Sequence, residues 1–149
     1  RVGAVGGPAE TPANDSLMQK ASGRVLSSFL VAGSNICRYT PRTYREVEDY
    51  PTCNLFVKKS VLEKAGGFAT PFWPGEDTFL CTAIRNKLNK KIIYDPEVLV
   101  YHHRRPLFLP HLRQIASYAL HRGYFVKRGY NPTFEPTYFL PSVLLICLL

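Results

Sequence analysis

Two adjacent carboxylates, Glu76 and Asp77, follow Pro74-Gly75 at the point where a helical pattern begins. A carboxylate held beside a substrate can serve as a general base, taking the proton from an attacking hydroxyl. Acidic residues in a first helical turn more often have a plainer task, because they complement the positive end of the helix dipole. The loop just upstream favours the first role. Its Phe72 and Trp73 offer aromatic faces that can line a substrate site, although loop aromatics serve as often for packing. A second cluster, His102-His103-Arg104-Arg105, follows a strand-like run. On a strand the two imidazoles point to opposite faces, so at most one of them serves a given site. An imidazole there is a candidate metal ligand, though a lone histidine is more often a satisfied structural residue. The guanidinium groups of Arg104 and Arg105 can bind diphosphate oxygens bidentately, or else form a solvated or lipid-facing charge pair.

The elements that must position these groups can be read along the chain. Residues 1–16 are rich in glycine, proline and Asn14-Asp15, which is loop chemistry, and the opening residues read as the tail of a strand entering a turn. With no initiator Met, the chain reads as an excerpt from a longer one. Ser16 to about Leu30 has helical spacing through Leu17, Met18, Ala21, Val25 and Phe29. Residues 33–50 are irregular and rich in arginine and tyrosine. The apolar run Asn54-Leu-Phe-Val57 precedes a helix expected to start with Ser60 as N-cap and to stop at Gly66-Gly67. A further helix is expected from about Glu76 to Asn86. Lys91–Tyr94 and Val98–Tyr101 read as strands parted by the turn signal Asp95-Pro96. Leu109 to Tyr124 is an amphipathic helix suited to a membrane interface, with Leu112, Ile115, Ala116, Ala119 and Leu120 on one side. The uncharged run from Tyr138 to Leu149 is shorter than the roughly 20 residues of a span, and is read as a span severed partway.

Composition bounds the function classes. The chain has 149 residues and a net charge of +8, which invites a nucleic-acid reading. The basic residues are densest at Arg104, Arg105, Arg113, Arg122, Lys127 and Arg128, just before the apolar end, and that placement suits an anionic membrane surface better than a nucleic-acid partner. Four scattered cysteines without a C-x-x-C pair argue for reduced thiols rather than a zinc ribbon or disulfide framework. Gly6-Gly7-Pro8 lies in neither a G-x-x-x-x-G-K-[ST] nor a G-x-G-x-x-G pattern, so it is a turn and not a phosphate cradle.

Several of these pieces occur in a recognisable order. Cys53-Asn-Leu-Phe-Val-Lys-Lys-Ser-Val-Leu-Glu-Lys-Ala-Gly-Gly-Phe68 comes first, then Pro74-Gly-Glu-Asp77, then Tyr94-Asp-Pro, then Val100-Tyr-His-His103. The ordered set resembles the second half of family-2 glycosyltransferases, and the resemblance covers nearly the whole chain from Gly6-Gly7-Pro8. It implies the C-terminal, acceptor-side portion of a GT-A fold: an α/β architecture in which the preceding half binds the nucleotide-sugar donor. It also implies that Asp77 is the base of an inverting single displacement and that Glu76 orients the acceptor or supports the loop. Phe72, Trp73, Gly7, Asn54, Arg104 and Arg105 would then be substrate-binding residues. The V-x-H match selects His102 over His103 as a ligand to a divalent cation, Mg2+ or Mn2+. The family's D-x-D metal motif is absent from this chain, so the piece is expected to be inactive alone. Gln114-Ile-Ala-Ser does not match the Q-x-x-R-W motif of processive membrane synthases.

The resulting division is residues 1–101 as the acceptor-side half, 102–137 as a basic amphipathic interface region and 138–149 as the start of a truncated membrane segment. The expected activity is transfer of a sugar, hexosyltransferase-like, from a nucleotide-diphosphate donor to a saccharide or lipid-linked acceptor hydroxyl, as in polysaccharide biosynthesis. It would take place at the cytoplasmic face of a membrane (the inner one in a bacterial cell), because Lys127 and Arg128 precede the apolar run. The competing reading is a non-catalytic basic module that holds anionic lipid. The paired carboxylates beside an aromatic loop weigh against it.

Overall fold

Val2–Gly6, expected as no more than a strand's tail, forms the interior strand β1 of a four-stranded sheet in a computed structural model. The structure describes residues 1–68 and 74–127, together with 129, 143, 146 and 147. After β1 come β2 (Ala9–Glu10), α1 (Leu17–Leu26), α2 (Phe29–Ala32) and a 3-10 turn, Gly33–Arg38. Next are β3 (Arg45–Val47), a 3-10 turn at Thr52–Asn54, β4 (Leu55–Val57) and α3 (Lys59–Ala65). The described chain then runs through α4 (Glu76–Thr82), a π-helical turn (Ala83–Lys87), β5 (Lys91–Tyr94), β6 (Val100–Tyr101) and α5 (Leu109–Lys127). The architecture is mixed α/β. The sheet order is β3-β5-β1-β4, with β1 and β5 parallel in the middle and the outer strands antiparallel to their neighbours. β2 and β6 form a separate parallel pair.

The core is where the sheet meets α3 and α4. Ala4, Ile92 and Tyr94 from the central strands pack with Val61, Leu80, Cys81 and Ile84 and with Tyr50, all buried. Tyr50 locks the carboxyl end of β1. Its ring lies so close to Gly6 that a Cβ there would come within 2.4 Å of it, and its hydroxyl donates to the Gly7 carbonyl at 2.8 Å.

Local chemistry explains the differences from the sequence reading. The first helix stops at Leu26 rather than near Leu30, because Ser27 Oγ bonds the Gly23 carbonyl and Ser28 Oγ the Val25 carbonyl. Such side-chain competition bends or ends helices. Its start is set by a capping box between Ser16 and Gln19. Leu17, Met18 and Phe29 face outward; the buried residues of α1 are Ser22 and Gly23, whose small size admits Thr11 and His111. α3 begins two residues earlier than expected, with Lys58 and not Ser60 at the N-cap. It stops as expected, at Gly66 in the left-handed conformation with φ of 92°.

Helix α5 contradicts the ordinary arrangement of an amphipathic element. Its buried residues are His111 and Phe125, whereas Leu109, Leu112, Ile115 and Leu120 are exposed. His111 Nδ1 meets Ser22 Oγ at 2.6 Å, tying the start of α5 to α1. Phe125 ties the far end to α4. No helix among the described residues is long and apolar enough to cross a membrane, and the run from Tyr138 lies almost wholly outside the described residues.

Candidate active site

The helix carrying Glu76 and Asp77 starts at Gly75, whose φ of 133° is closed to most side chains. A Cβ there would also come within 2.3 Å of the Phe125 ring. Phe125 meets Phe79 edge-on, ring centroids 5.3 Å apart. The first turn of α4 is thus seated from below by Phe79 and from the side by α5. Glu76 folds back, its Oε2 accepting from the Gly75 N–H at 3.0 Å, which is work at the helix terminus. Asp77 is half-buried, and its Oδ1 accepts from the Thr78 N–H at 2.8 Å. Burial first, and then the charge of Asp49, holds the Asp77 carboxyl above the usual aspartate range. An acid so placed is a weakly solvated proton acceptor.

Around Asp77 stand groups that the sequence did not single out. Asp49 precedes Tyr50 and is clamped by Arg38, whose Nη2 lies 3.4 Å from Asp49 Oδ2 and 3.1 Å from the Asp49 carbonyl. Thr78 Oγ1 donates to the same Oδ2 at 3.2 Å. Cys53 is a free thiol that burial pushes up in pKa, with the charges of Arg104, Arg38 and Asp77 acting on it in smaller measure. Tyr39, its hydroxyl pushed up mainly by burial, lies under the Arg104 guanidinium, 5.2 Å from the ring centroid. The Arg38–Asp49 pair adjoins Tyr50, over whose ring the Arg38 guanidinium lies, and Tyr50 and Asn54 close the carboxyl end of β1. Ligands of open α/β sheets bind beyond the carboxyl ends of the parallel strands. The only cue to Arg38 and Asp49 in the sequence is that they stand in an irregular, arginine- and tyrosine-rich stretch, which by itself is indistinguishable from a surface loop.

The expected substrate-binding residues divide. Asn54 is buried, and its Nδ2 donates to the carbonyls of Gly7 at 2.7 Å, Pro8 at 3.1 Å and Val98 at 2.7 Å. It clips together the turns that follow β1 and β5. Gly7 is required by sterics, because a Cβ would come within 1.8 Å of the Val98 carbonyl oxygen. Arg104 is buried, with Nη2 donating to the Ala9 carbonyl and Nε 3.4 Å from Thr11 Oγ1. It is therefore no solvated charge, whereas Arg105 is exposed. Phe72 and Trp73 lie outside the described residues.

The two histidines have different environments. His102 is exposed as a residue, its backbone N–H donates to the Glu10 carbonyl at 2.8 Å, and partial desolvation of the ring, then the nearby Arg104 charge, lowers its pKa. His103 Nδ1 contacts Oδ1 of the buried Asp15. No group of three or more His, Cys, Asp or Glu side chains converges as a metal site among the described residues. Comparison of the chain with protein-family models, with curated proteins and with solved structures finds no match.

Proposed function

We propose that this chain is the acceptor-side half of a membrane-associated, inverting glycosyltransferase of the GT-A type, with Asp77 as its general base. The reading is supported above all by one observation: Asp77 sits half-buried in the first turn of α4, its carboxyl raised in pKa by burial and by a second carboxylate. Structural first-turn acids gain from exposure to solvent and from the helix dipole. A group that is desolvated beside a like charge is placed against its own stability, as catalytic bases are. In the proposed reaction Asp77 takes the proton as the acceptor oxygen forms its bond to the anomeric carbon and the nucleoside diphosphate departs with the electron pair of the bond it loses.

The other residues take supporting roles. Glu76 holds the helix start that presents Asp77. Arg105, exposed beside the buried Arg104, is the guanidinium available to the leaving diphosphate, and Arg104 holds the β2 backbone and Tyr39 beneath it. His102 is the proposed ligand to a divalent cation, which when bound neutralises charge on the diphosphate. Its lowered pKa and its exposure fit that task, and the carboxylate ligands would come from the donor half. The nucleotide-sugar donor, a saccharide or lipid-linked acceptor and a membrane are the proposed partners.

The test is Asp77→Asn in the full-length enzyme. The substitution keeps size and one hydrogen-bonding oxygen but removes proton-accepting capacity. Positioned general-base catalysis is worth about 10²- to 10⁴-fold, so turnover should fall by that factor while donor affinity stays close to wild type. Turnover near the wild-type rate in a folded variant overturns the assignment of Asp77 as base, whereas a wild-type protein that binds anionic vesicles and transfers no sugar would favour lipid binding without chemistry.

A further inference from the structure

Thr78 is bonded to two carboxylates at once. Its backbone N–H donates to Asp77 Oδ1 at 2.8 Å and its hydroxyl donates to Asp49 Oδ2 at 3.2 Å. Asp49 in turn is held from the opposite side by Arg38, at the end of the 3-10 turn Gly33–Arg38, through both its backbone carbonyl and its side chain. The Asp49 side chain is 17% exposed and that of Arg38 12%. Such a chain of bonds inside a weakly screened region is stiffer than its members are separately. It runs from a segment before the sheet's edge strand to the first turn of α4, elements otherwise separated by the chain from Arg45 to Gly75.

We infer that Asp49 is a positioning residue for the base: clamped by Arg38, it fixes Thr78 and so the first turn of α4, and it places a second carboxylate next to that of Asp77. The inference rests on the reading of Asp77 as base. Two carboxylates in one cleft serve different roles when their environments differ. Here Asp49 has the arginine and the hydroxyl, and Asp77 has a single backbone donor. The charged and titratable groups that act on Asp77 are Asp49, Glu76 and Arg38, with the thiols of Cys53 and Cys81 as neutral neighbours that feel its charge. Of these, the Asp49 charge is the largest after burial itself in raising the proton affinity of Asp77.

The experiment compares Asp49→Asn, Thr78→Val and Asp77→Asn in the full-length enzyme, with turnover followed across pH and melting temperature measured for each. Asp49→Asn removes the neighbouring charge, so the acid limb of the kcat/KM profile should move to lower pH. Thr78→Val leaves that charge but removes one hydrogen bond. Its kcat should fall about 2- to 10-fold, the worth of one such bond, with the acid limb unmoved. If Asp77→Asn abolishes turnover while Asp49→Asn leaves the acid limb in place, the role of Asp49 is overturned and the base stands. If Thr78→Val turns over like wild type, the tether is overturned by itself, and this arm remains readable should Asp49→Asn fail to fold. If Asp77→Asn turns over normally, the base reading fails, and the two failures are thereby distinguishable.

Discussion

Asp77 carries a consequence for stability that separates a working carboxylate from an ornamental one. Its folded pKa lies above its ordinary value, owing to burial and then to Asp49, so the folded chain binds this proton more tightly than the unfolded chain does. By linkage, the group favours the folded state most below its unfolded pKa, and that contribution is lost as pH rises through the folded pKa. At neutral pH the ionised Asp77 therefore opposes folding. Asp77→Asn should raise the melting temperature at pH 7 and leave it nearly unchanged at acidic pH where the wild-type carboxyl is protonated. A first-turn acid engaged only with the helix dipole gives the opposite sign at neutral pH. Thermal melts of the two proteins across pH decide between them. A variant that is inactive yet melts higher is the outcome expected of a base. The Glu76-Asp77 pair was legible in the sequence because its position at a helix start is a local property. Asp49 and Arg38 were not, since what makes them part of the site is their meeting with Thr78 across long stretches of chain.

Among the elements, α4 depends on its neighbour as much as on its own sequence. Phe125, 3% exposed, fills the space over Gly75 and meets Phe79. Phe125→Ala should cost about 3–5 kcal/mol, the usual loss for a buried phenylalanine, read as a lower midpoint in urea denaturation. Turnover per folded molecule should fall with it, because the seat of Asp77 loosens. Periodicity located α4 and α5 correctly and could not say that they touch, as no local pattern encodes contact between them. Periodicity also marks a face without saying what covers it. The apolar spacing of α1 and α5 marks a face, and in both elements that face turns away from the body: Leu17 is 74% exposed and Leu120 75%. Small residues in α1 and a histidine in α5 make the close contact instead. The strand β1 was under-read because Val2–Gly6 is short and ends in Gly6-Gly7, so it carries more turn signal than strand signal.

For the molecule as a whole, the outward apolar face of α5 is the surface on which the proposed membrane association can be tested. Leu112→Glu with Leu120→Glu should weaken binding of the full-length protein to anionic vesicles while each changes stability by no more than about 0.5 kcal/mol, since both side chains are exposed. Co-sedimentation with vesicles at rising salt checks this, and the electrostatic share should decline with ionic strength. Helix α5 is fastened at its start by His111 to Ser22 and near its end by Phe125 to Gly75 and Phe79. Lifting α5 therefore releases both fastenings together, and its amides should exchange with solvent deuterium in one cooperative unit with those of α4. A surface that holds α5 in its seated position then contributes RT ln(1 + [L]/Kd) to keeping that unit closed. The bilayer would thus act as an effector of the carboxylate at the far end of the same helix pair.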